Sequence, residues 1–422
     1  MLDKLRQIFA TPDLRKKILI SILIIIVARF LAHIPMPGIN TEELANFFKR
    51  NQIFGILNMF SGGAMENFSL IMMGVGPFIT ASIIFQLLQM VIPRLEALSK
   101  EGERGRQIIN QYTRYAAIPL AIIQAFAMTA LLKKQGIIVE LNGLPFIAML
   151  TSVTAGTIFL MFLGELISEN GIGNGMSIII AIGIIAGFPV NIRNTAAAIG
   201  SNQILGLILF IALLVLVVGL IVIMNEGVRQ IPVSYARRIR GSRSLGGVDT
   251  YLPLRVNTGG VVPIIFALSI MLFPGIIANF FTAARSPWLA NSAQNVADFF
   301  SNNTYYGIVY FITTIVFTYF YTGIVFKPTE VAENLQKHGG FVPGIRPGTE
   351  TANFLSRVLN RITFAGALFL GFIAVLPFVV QSITKINTIV LGGTGLLIIV
   401  SVIIETSRQI KAQLLMRTYD HY

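Results

Sequence analysis

The chain has 422 residues, of which 54% are hydrophobic and only 12% are charged, and its formal net charge is +13. Soluble domains carry about 25% charged residues, so this composition predicts a protein that lies largely in lipid. The sequence contains no cysteine, which excludes disulfides, thiol catalysis and thiolate metal sites.

Ten apolar stretches are candidates for membrane-spanning helices, which need about 17–25 residues to cross a bilayer. In chain order they are 18–34, 69–92, 116–132, 145–164, 176–192, 204–224, 259–281, 305–326, 362–380 and 388–404. The second contains Gly74, Gly76 and Pro77, and the fifth is short. The basic N-terminus leads into the first stretch, and the nine stretches that follow favour an uncleaved signal anchor over a signal peptide.

The basic residues are distributed unevenly between the two sides that these spans define. One set of alternating connections and tails carries 24 Lys and Arg residues, and the other set carries seven. Short cytoplasmic loops hold an excess of Lys and Arg, so the sequence predicts that both termini are cytoplasmic.

The second span of each half of the chain contains the same short pattern. Residues 74–79 read G-V-G-P-F-I and residues 260–265 read G-V-V-P-I-I, so both fit G-V-x-P-x-I. Two halves of five spans, 1–203 and 204–422, would have opposite orientations in the membrane, as in inverted repeats. Paired Gly/Pro-interrupted spans mark the working site in such proteins, so we expect spans 2 and 7 to face each other as a movable seam. The alternative is chance agreement among apolar residues.

The predicted membrane interior contains almost no ionisable groups. Arg29 is the only Asp, Glu, Lys or Arg residue there, and its place near the outer end of span 1 suggests that it snorkels to the interface. This inventory disfavours proton pumps, ion-coupled transporters and intramembrane proteases. No G-x-S-x-G or P-loop pattern occurs, so an enzyme is not expected. An apolar conduit closed by dewetting is compatible with the composition.

Two smaller features of the spans have ordinary structural interpretations. Residues 171–175, which read G-I-G-N-G, follow no strand, so we expect a tight turn into span 5 and not a phosphate loop. The polar side chains of span 2 would suit either a wet wall or a helix–helix contact. They are Thr80, Ser82, Gln86 and Gln89.

Two predicted cytoplasmic connections, 225–257 and 327–361, are much longer than a connector requires. The first carries four arginines within seven positions, Arg237, Arg238, Arg240 and Arg243. The second contains residues 341–348, F-V-P-G-I-R-P-G, whose prolines and glycines would shape a tip that presents Arg346. Three interpretations stay open: a topology signal, attraction to anionic lipid, or docking of a large cytosolic partner.

Motifs along nearly the whole chain resemble the SecY family, the channel subunits of the bacterial Sec protein-translocation complex. They are I-P-M-P-G-I-N at 34–40, N-Q-Y-T-R-Y at 110–115, the run 169–180 around G-I-G-N-G, the tip 341–348 and G-G-T-G-L-L-I at 392–398. The resemblance implies an all-α, ten-helix channel in two inverted halves, with an aliphatic ring at its waist. It also implies passage of unfolded secretory polypeptides, sideways release of transmembrane segments into lipid, and no cofactor.

The resemblance also implies roles for individual residues. The ring would consist of Val75, Ile79, Met176, Ile180, Ile265 and Ile398, although the family favours isoleucine where this chain has Val75 and Met176. A short plug helix beneath it would run from about Ser61 to Met73 and include Gly62, Gly63, Phe68 and Ser69. The lateral gate would contain Thr80, Gln86 and Phe273, and the motor or ribosome contacts would be Arg346 with Arg237, Arg238, Arg240 and Arg243.

The implied partners are SecE-like and SecG-like small membrane subunits, the SecA motor ATPase, a translating ribosome, signal peptides with unfolded secretory chains, and anionic lipids. The implied location is the plasma membrane. Two other classes stay open on the residues alone: a secondary transporter for a small solute, and a scaffold that uses the basic loops.

Overall fold

The computed structural model describes residues 11–37, 39, 43–44, 47–48, 58, 61–138, 143–198, 204–235, 238–240, 243–245, 250–282, 286–384 and 393–419. Helices dominate these residues. In chain order the helices are α1 (Pro12–Leu31), α2 (Gly76–Val91), α3 (Pro93–Lys100), α4 (Glu103–Lys134), α5 (Leu144–Asn170), α6 (Gly175–Ala198), α7 (Ile204–Glu226), α8 (Val262–Phe281), α9 (Pro287–Ser301), α10 (Asn303–Val325), α11 (Pro328–Lys337), α12 (Thr349–Thr384) and α13 (Gly393–Tyr419). The strands are β1 (Val228–Tyr235), β2 (Arg238–Arg240), β3 (Arg243–Leu245), β4 (Thr250–Arg255) and β5 (Gly340–Phe341).

Each of the ten predicted spans coincides with one helix, namely α1, α2, α4, α5, α6, α7, α8, α10, α12 and α13. Five segments of the described chain are long and apolar enough to span a bilayer by length and composition alone, and a sixth results if α2 and α3, bent by 103°, count as one broken span. Helix α1 does not meet that criterion because its 20 residues include Asp13, Arg15, Lys16, Lys17 and Arg29. The protein is therefore a multi-pass helical membrane protein.

Several element boundaries differ from the sequence prediction. Helix α2 begins at Gly76, seven residues after the predicted start of span 2 at 69, because the preceding residues form turns. Helix α12 begins at Thr349 and runs for 36 residues, so the end of the predicted 327–361 connection is helical. At 1.5 Å per residue this helix is about 54 Å long, which exceeds a bilayer core of about 30 Å.

Besides a small apolar cluster between α2, α4 and α5, three larger apolar clusters hold the membrane-spanning helices together. One lies in the N-terminal half and includes Phe68, Met72 and Leu132. A second lies in the C-terminal half around Tyr306 and Leu397. The third joins side chains of both halves, and it contains the predicted ring residues. The halves thus meet through apolar packing.

A small β-sheet joins the two long basic connections, which the sequence did not predict. Strand β1 pairs antiparallel with β4, from Val228↔Arg255 to Val233↔Thr250, and the other edge of β1 pairs with β5 through Ser234↔Phe341. Side chains of both connections pack under this sheet, with Ile231, Leu254 and Val342 buried in one cluster. The two connections therefore form one folded unit.

Polar contacts tie the helices at the end where this sheet lies. The Arg114 guanidinium of α4 pairs with the Glu165 carboxylate of α5. At the end of α7, the Asn225 amide donates to Ser401 Oγ of α13 at 2.6 Å, and the Asn257 amide donates to Asn225 Oδ1 at 2.7 Å. All five residues lie in connections or span ends that the sequence predicts to be cytoplasmic, and the contacts join them as one pair and one group of three.

Candidate functional site

The two copies of the G-V-x-P-x-I pattern adopt the same local structure. Gly74 and Gly260 have φ values of +56° and +61°, in the left-handed region where glycine is favoured. The following valines precede helices that carry proline in their first turn, with φ of −92° at Val75 and −94° at Val261. The Ile79 N–H donates to the Val75 carbonyl, and the Ile265 N–H donates to the Val261 carbonyl. The two copies therefore share their backbone geometry as well as their sequence pattern.

The six predicted ring residues lie in one apolar cluster. Val75, Ile180 and Ile398 are buried, and the partly buried side chains of Ile79, Met176 and Ile265 pack against them. They come from α6, α8, α13 and the start of α2, so both halves contribute. Every member is aliphatic or a thioether, and a constriction lined by such side chains would exclude water and small ions without any charge or metal.

The position of α6 depends on the G-I-G-N-G turn. The Asn174 side chain accepts from the Ser177 N–H at 3.2 Å, and Ser168 Oγ accepts from the Gly175 N–H at 2.9 Å. A Cβ at Gly175 would collide with the Gly164 carbonyl, so only glycine permits this approach of α5 and α6. The close approach also brings Met176 against Gly164. The prediction of a tight turn into span 5 is confirmed.

Residues 61–73, expected from the resemblance to be a short plug helix, form a series of turns. The expectation of a helix is wrong because Gly62, Gly63 and Phe68 have φ values of +70°, +82° and +42°, which interrupt right-handed helical geometry. The segment nevertheless packs against the predicted ring residues. Ala64 and Ile71 pack in the same cluster as the ring residues.

Three contacts hold this segment against the helices around it. Phe68 is fully buried in the N-terminal cluster, and Ser69 is fully buried beside it in sequence. A Cβ at Gly156 of α5 would collide with the Leu70 carbonyl, and a Cβ at Gly62 would lie 2.7 Å from the Gly183 Cα of α6. A cavity of about 20 Å³ remains between the segment and the cluster, which is room for about one water molecule.

Arg29 contacts the same segment. Its Nη1 donates to the Gly62 carbonyl at 2.8 Å, and its side chain is half-buried. The interpretation that Arg29 snorkels to the membrane interface is therefore wrong. The Gly62 carbonyl stabilises this guanidinium next to an otherwise apolar wall. The charge-assisted hydrogen bond offsets part of the free-energy cost of removing the guanidinium from water.

The predicted gate residues have different surroundings. Thr80 is buried, and its Oγ1 donates to the Gly76 carbonyl and accepts from Gln124 Nε2 of α4 at 3.4 Å. Gln86 donates to Ser82 Oγ of its own helix at 3.2 Å. The side chain of Phe273 lies outside the described residues, although its backbone belongs to α8. Helix α8 contacts both α2 and α4, so the seam between the halves includes span 3 as well as span 2.

The predicted docking residues lie beyond the membrane-spanning helices. Arg346 is exposed, and its carbonyl accepts from Thr351 Oγ1 at 2.9 Å while the neighbouring Val342 is buried. Arg238, Arg240 and Arg243 belong to the β2–β3 hairpin, in which Arg240 pairs with Arg243. Arg237 lies outside the described residues. Val342 thus anchors a tip that leaves Arg346 in solvent.

Sequence reasoning missed four contributors to the site: the Arg29 contact, Gly156, Gln124 and Val261, which packs against the ring cluster. Arg29 carried a usable signal because it was the only charge in an otherwise apolar interior. The G-V-x-P-x-I pattern also contained Val261. Nothing in the sequence indicated the partners of Gly156 or Gln124.

The fold and the site define a class: a helical membrane protein whose two halves meet in an aliphatic cluster, with the turn segment 61–73 packed against it. The SecY family model matches residues 69–407. The SecY protein translocase subunit of Streptomyces galbus is 42% identical over the full length of both chains, and that of Thermus thermophilus is 41% identical over 97% of this chain and 95% of its own. The chain belongs to the SecY family.

Solved structures share this fold. A protein-conducting channel matches with a TM-score of 0.62 and 20% identity, covering 94% of this chain and 92% of that one. A SecY protein whose plug domain stabilises the closed state of its channel matches with a TM-score of 0.60 and 19% identity over the same shares. At these identities the likeness supports the ten-helix, two-half architecture alone.

Proposed function

We propose that this chain is the channel-forming subunit of a bacterial protein translocase. It would pass unfolded secretory polypeptides across the plasma membrane and release apolar segments sideways into lipid. The observation that carries the proposal is the convergence of Val75, Ile79, Met176, Ile180, Ile265 and Ile398 from both halves into one cluster. Membership of the SecY family and the names of the full-length relatives support it.

The aliphatic ring would act as a seal around the passing chain. Dispersion contacts with aliphatic groups do not depend on side-chain chemistry, so one ring can accept many sequences. Met176 suits this role because an unbranched thioether adapts to irregular shapes. At rest, segment 61–73 would act as the plug, and the contacts of Ile71 and Ala64 with the ring cluster support that role.

The seam between α8 and the pair α2 and α4 would act as the lateral gate. Thr80, Gln86 and Phe273 are the residues proposed there, and Gln124 joins them through its contact with Thr80. An apolar segment would leave through the seam because lipid stabilises it. A Leu-like residue contributes about −0.5 kcal/mol at the bilayer centre and a charge costs about +3 kcal/mol, so partitioning alone can sort segments.

The folded unit of β1, β4 and β5 would be the docking surface for the SecA motor or a ribosome. Support comes from the exposed Arg346 and from the basic β2–β3 hairpin, which contains Arg238, Arg240 and Arg243. Arg237 is proposed to belong to the same surface. Anionic lipid headgroups would attract these arginines as well. The 24-to-7 distribution of basic residues supports cytoplasmic placement of this surface and of both termini.

The other proposed partners are SecE-like and SecG-like membrane subunits, signal peptides and unfolded secretory chains. No bond of the substrate is made or broken in this proposal. Nucleotide hydrolysis by the motor, translation or the proton-motive force would supply the energy. Copurification in mild detergent should bring along the small subunits, which a small-solute transporter would not require.

The deciding experiment places a photo-crosslinking amino acid at Ile79 or Ile180 and stalls a secretory chain in the membrane. We expect crosslinks to the stalled chain from both positions. A matched probe at Ile312, an exposed position of α10, should label lipid and not the chain. Equal labelling of the stalled chain at all three positions, or at none, would refute a central path through the ring.

A further inference from the structure

Helix α9 has three distinct faces, which is unusual for a connector between two spans. Its 15 residues, P-W-L-A-N-S-A-Q-N-V-A-D-F-F-S, contain one charge and no Lys or Arg. At 1.5 Å per residue it is about 22 Å long. It begins six residues after α8 ends and is followed by α10 after a single residue, so both of its ends are tied to membrane-spanning helices.

The first face packs on the protein. Ala293 and Ala297 are buried, and Leu289 and Phe300 are half-buried beside them. Phe300 packs on the C-terminal cluster, where its ring lies edge-on to Tyr306 at 6.4 Å between centroids. Helix α9 therefore lies against α8 and the start of α10.

The second face is polar and belongs in water. Asn291, Gln294 and Asp298 are exposed, and the Gln294 amide donates to the Asp298 carboxylate at 2.9 Å. With roughly 100° per residue, these three positions fall within an arc of about 60°. This arc is separate from the buried face.

The third face carries the exposed apolar side chains of the helix, with the half-buried Ser292 among them. Trp288, Val296 and Phe299 are 75%, 41% and 40% exposed, and they fall within about 80° of one another around the helix at roughly 100° per residue. Trp288 is the only tryptophan in the chain. An exposed face of this kind has no stabilising contact in water.

The apolar face continues onto the outside of a membrane-spanning helix. The Phe299 ring stacks on Tyr305 of α10, with centroids 5.3 Å apart and planes 5° from parallel. Tyr305 is the first residue of an exposed stripe that runs along α10 through Ile308 and Ile312. A stripe on the outside of a membrane-spanning helix faces acyl chains, so the face of α9 continues a surface that is already in lipid.

We propose that α9 is an interfacial helix, with its Trp288–Phe299 face inserted at the boundary between headgroups and acyl chains. This is the leaflet opposite the β-sheet, because α9 joins the far ends of α8 and α10. Trp and Tyr are enriched at such boundaries, and an amphipathic helix can lie there about 5–10 Å deep. Since α9 has no basic residue, its insertion does not depend on anionic lipid. The inference is independent of the proposed transport function.

The single tryptophan supplies a direct test in the intact chain. The purified complex is reconstituted in bilayers of brominated phosphatidylcholine. The fluorescence of the Trp288→Phe variant is subtracted from that of the wild type to remove the signal of other subunits. We expect strong quenching by bromines near the headgroup end of the acyl chain and weaker quenching by bromines near its methyl end. Aqueous acrylamide should quench weakly, and replacing a third of the lipid with an anionic lipid should change neither result.

A control variant carries the tryptophan on the water face of the same helix. In Trp288→Phe with Asn291→Trp, acrylamide should quench strongly and brominated lipid weakly. Quenching of wild-type Trp288 by acrylamide and not by lipid would overturn the proposal in favour of an aqueous helix. Protection of Trp288 from both quenchers would overturn it in favour of a covering protein, either a small subunit or a second copy.

Discussion

Arg29 of the first span donates a hydrogen bond to the Gly62 carbonyl of the turn segment, with Nη1 and O 2.8 Å apart. The contact joins the only charged group in the predicted membrane interior to the segment proposed as the plug. Gly62 is also the residue whose missing side chain allows the approach, because a Cβ there would lie 2.8 Å from Arg29 Nη1. Displacing the segment would leave a half-buried guanidinium without this acceptor, so Arg29 favours the arrangement of the segment that the structure shows.

Replacement of this arginine should loosen the segment. A hydrogen bond to a charged group contributes about 1.5–3 kcal/mol, so Arg29→Gln should raise the population of displaced plug by about 10- to 100-fold. Resting ion conductance of the purified complex in planar bilayers measures this change. The exposed Arg94 offers a control, since Arg94→Gln removes the same charge away from the segment. Equal conductance in both variants and in the wild type would show that the Arg29–Gly62 hydrogen bond does not hold the segment in place.

A methyl group on α5 should displace the same segment by a different route. In Gly156→Ala the new Cβ would meet the Leu70 carbonyl, and overpacking of this kind costs about 1–3 kcal/mol. We expect a raised resting conductance and lower thermal stability of the complex. Gly219→Ala in α7, whose Cβ meets no described atom within 4 Å, should change neither property, and a leak of the same size from it would point to general destabilisation.

Polar substitutions in the ring should weaken the seal. Ile79→Ser and Ile265→Ser place a hydroxyl in the apolar cluster from opposite halves, and water then enters the constriction more readily. The expected result is greater resting conductance for each variant and a larger increase for the double variant. Ile312→Ser on the exposed face of α10 serves as the matched control, and its resting conductance should equal that of the wild type. If the resting conductance of Ile79→Ser and of Ile265→Ser equals that of the wild type, these residues do not form the seal.

The gate can be tested by cross-linking because the chain has no native cysteine. Cysteines at Thr80 and Phe273, joined by a short bifunctional reagent, should block substrate passage by tying α2 to α8 across the seam. The control pair is Thr80 and Gln124, which touch within the N-terminal half and should cross-link without blocking passage. Blocking by both pairs, or by neither, would argue against a seam that must open between the halves.

The tip of the second connection should matter for the motor and not for folding. Arg346→Glu reverses an exposed charge, and we expect motor-driven translocation in proteoliposomes to fall about tenfold, which corresponds to about 1.4 kcal/mol. Assembly with the small subunits should be unchanged. Lys337→Glu makes the same charge change on α11 nearby and tests whether net charge alone is responsible. Normal transport by Arg346→Glu would remove this residue from the docking surface.

Local patterns predicted much of the site. The G-V-x-P-x-I repeats predicted the entry geometry of α2 and α8, because a left-handed glycine and a first-turn proline act on their own backbone. The resemblance placed all six ring residues, which the structure brings into one cluster. The prediction of a plug helix was wrong because the resemblance carried no information about the φ values of Gly62, Gly63 and Phe68 in this chain.

The amino-acid sequence by itself predicted ten spans, their orientation and the near absence of charge within them, because hydropathy and the bias of Lys and Arg act through the bilayer one segment at a time. Only the tertiary structure decided that Arg29 contacts Gly62, that Thr80 contacts Gln124 and that β1 pairs with β5. These partners are separated by 33 residues, 44 residues and about a quarter of the chain. Such contacts depend on how helices pack against one another, and no local pattern encodes that packing.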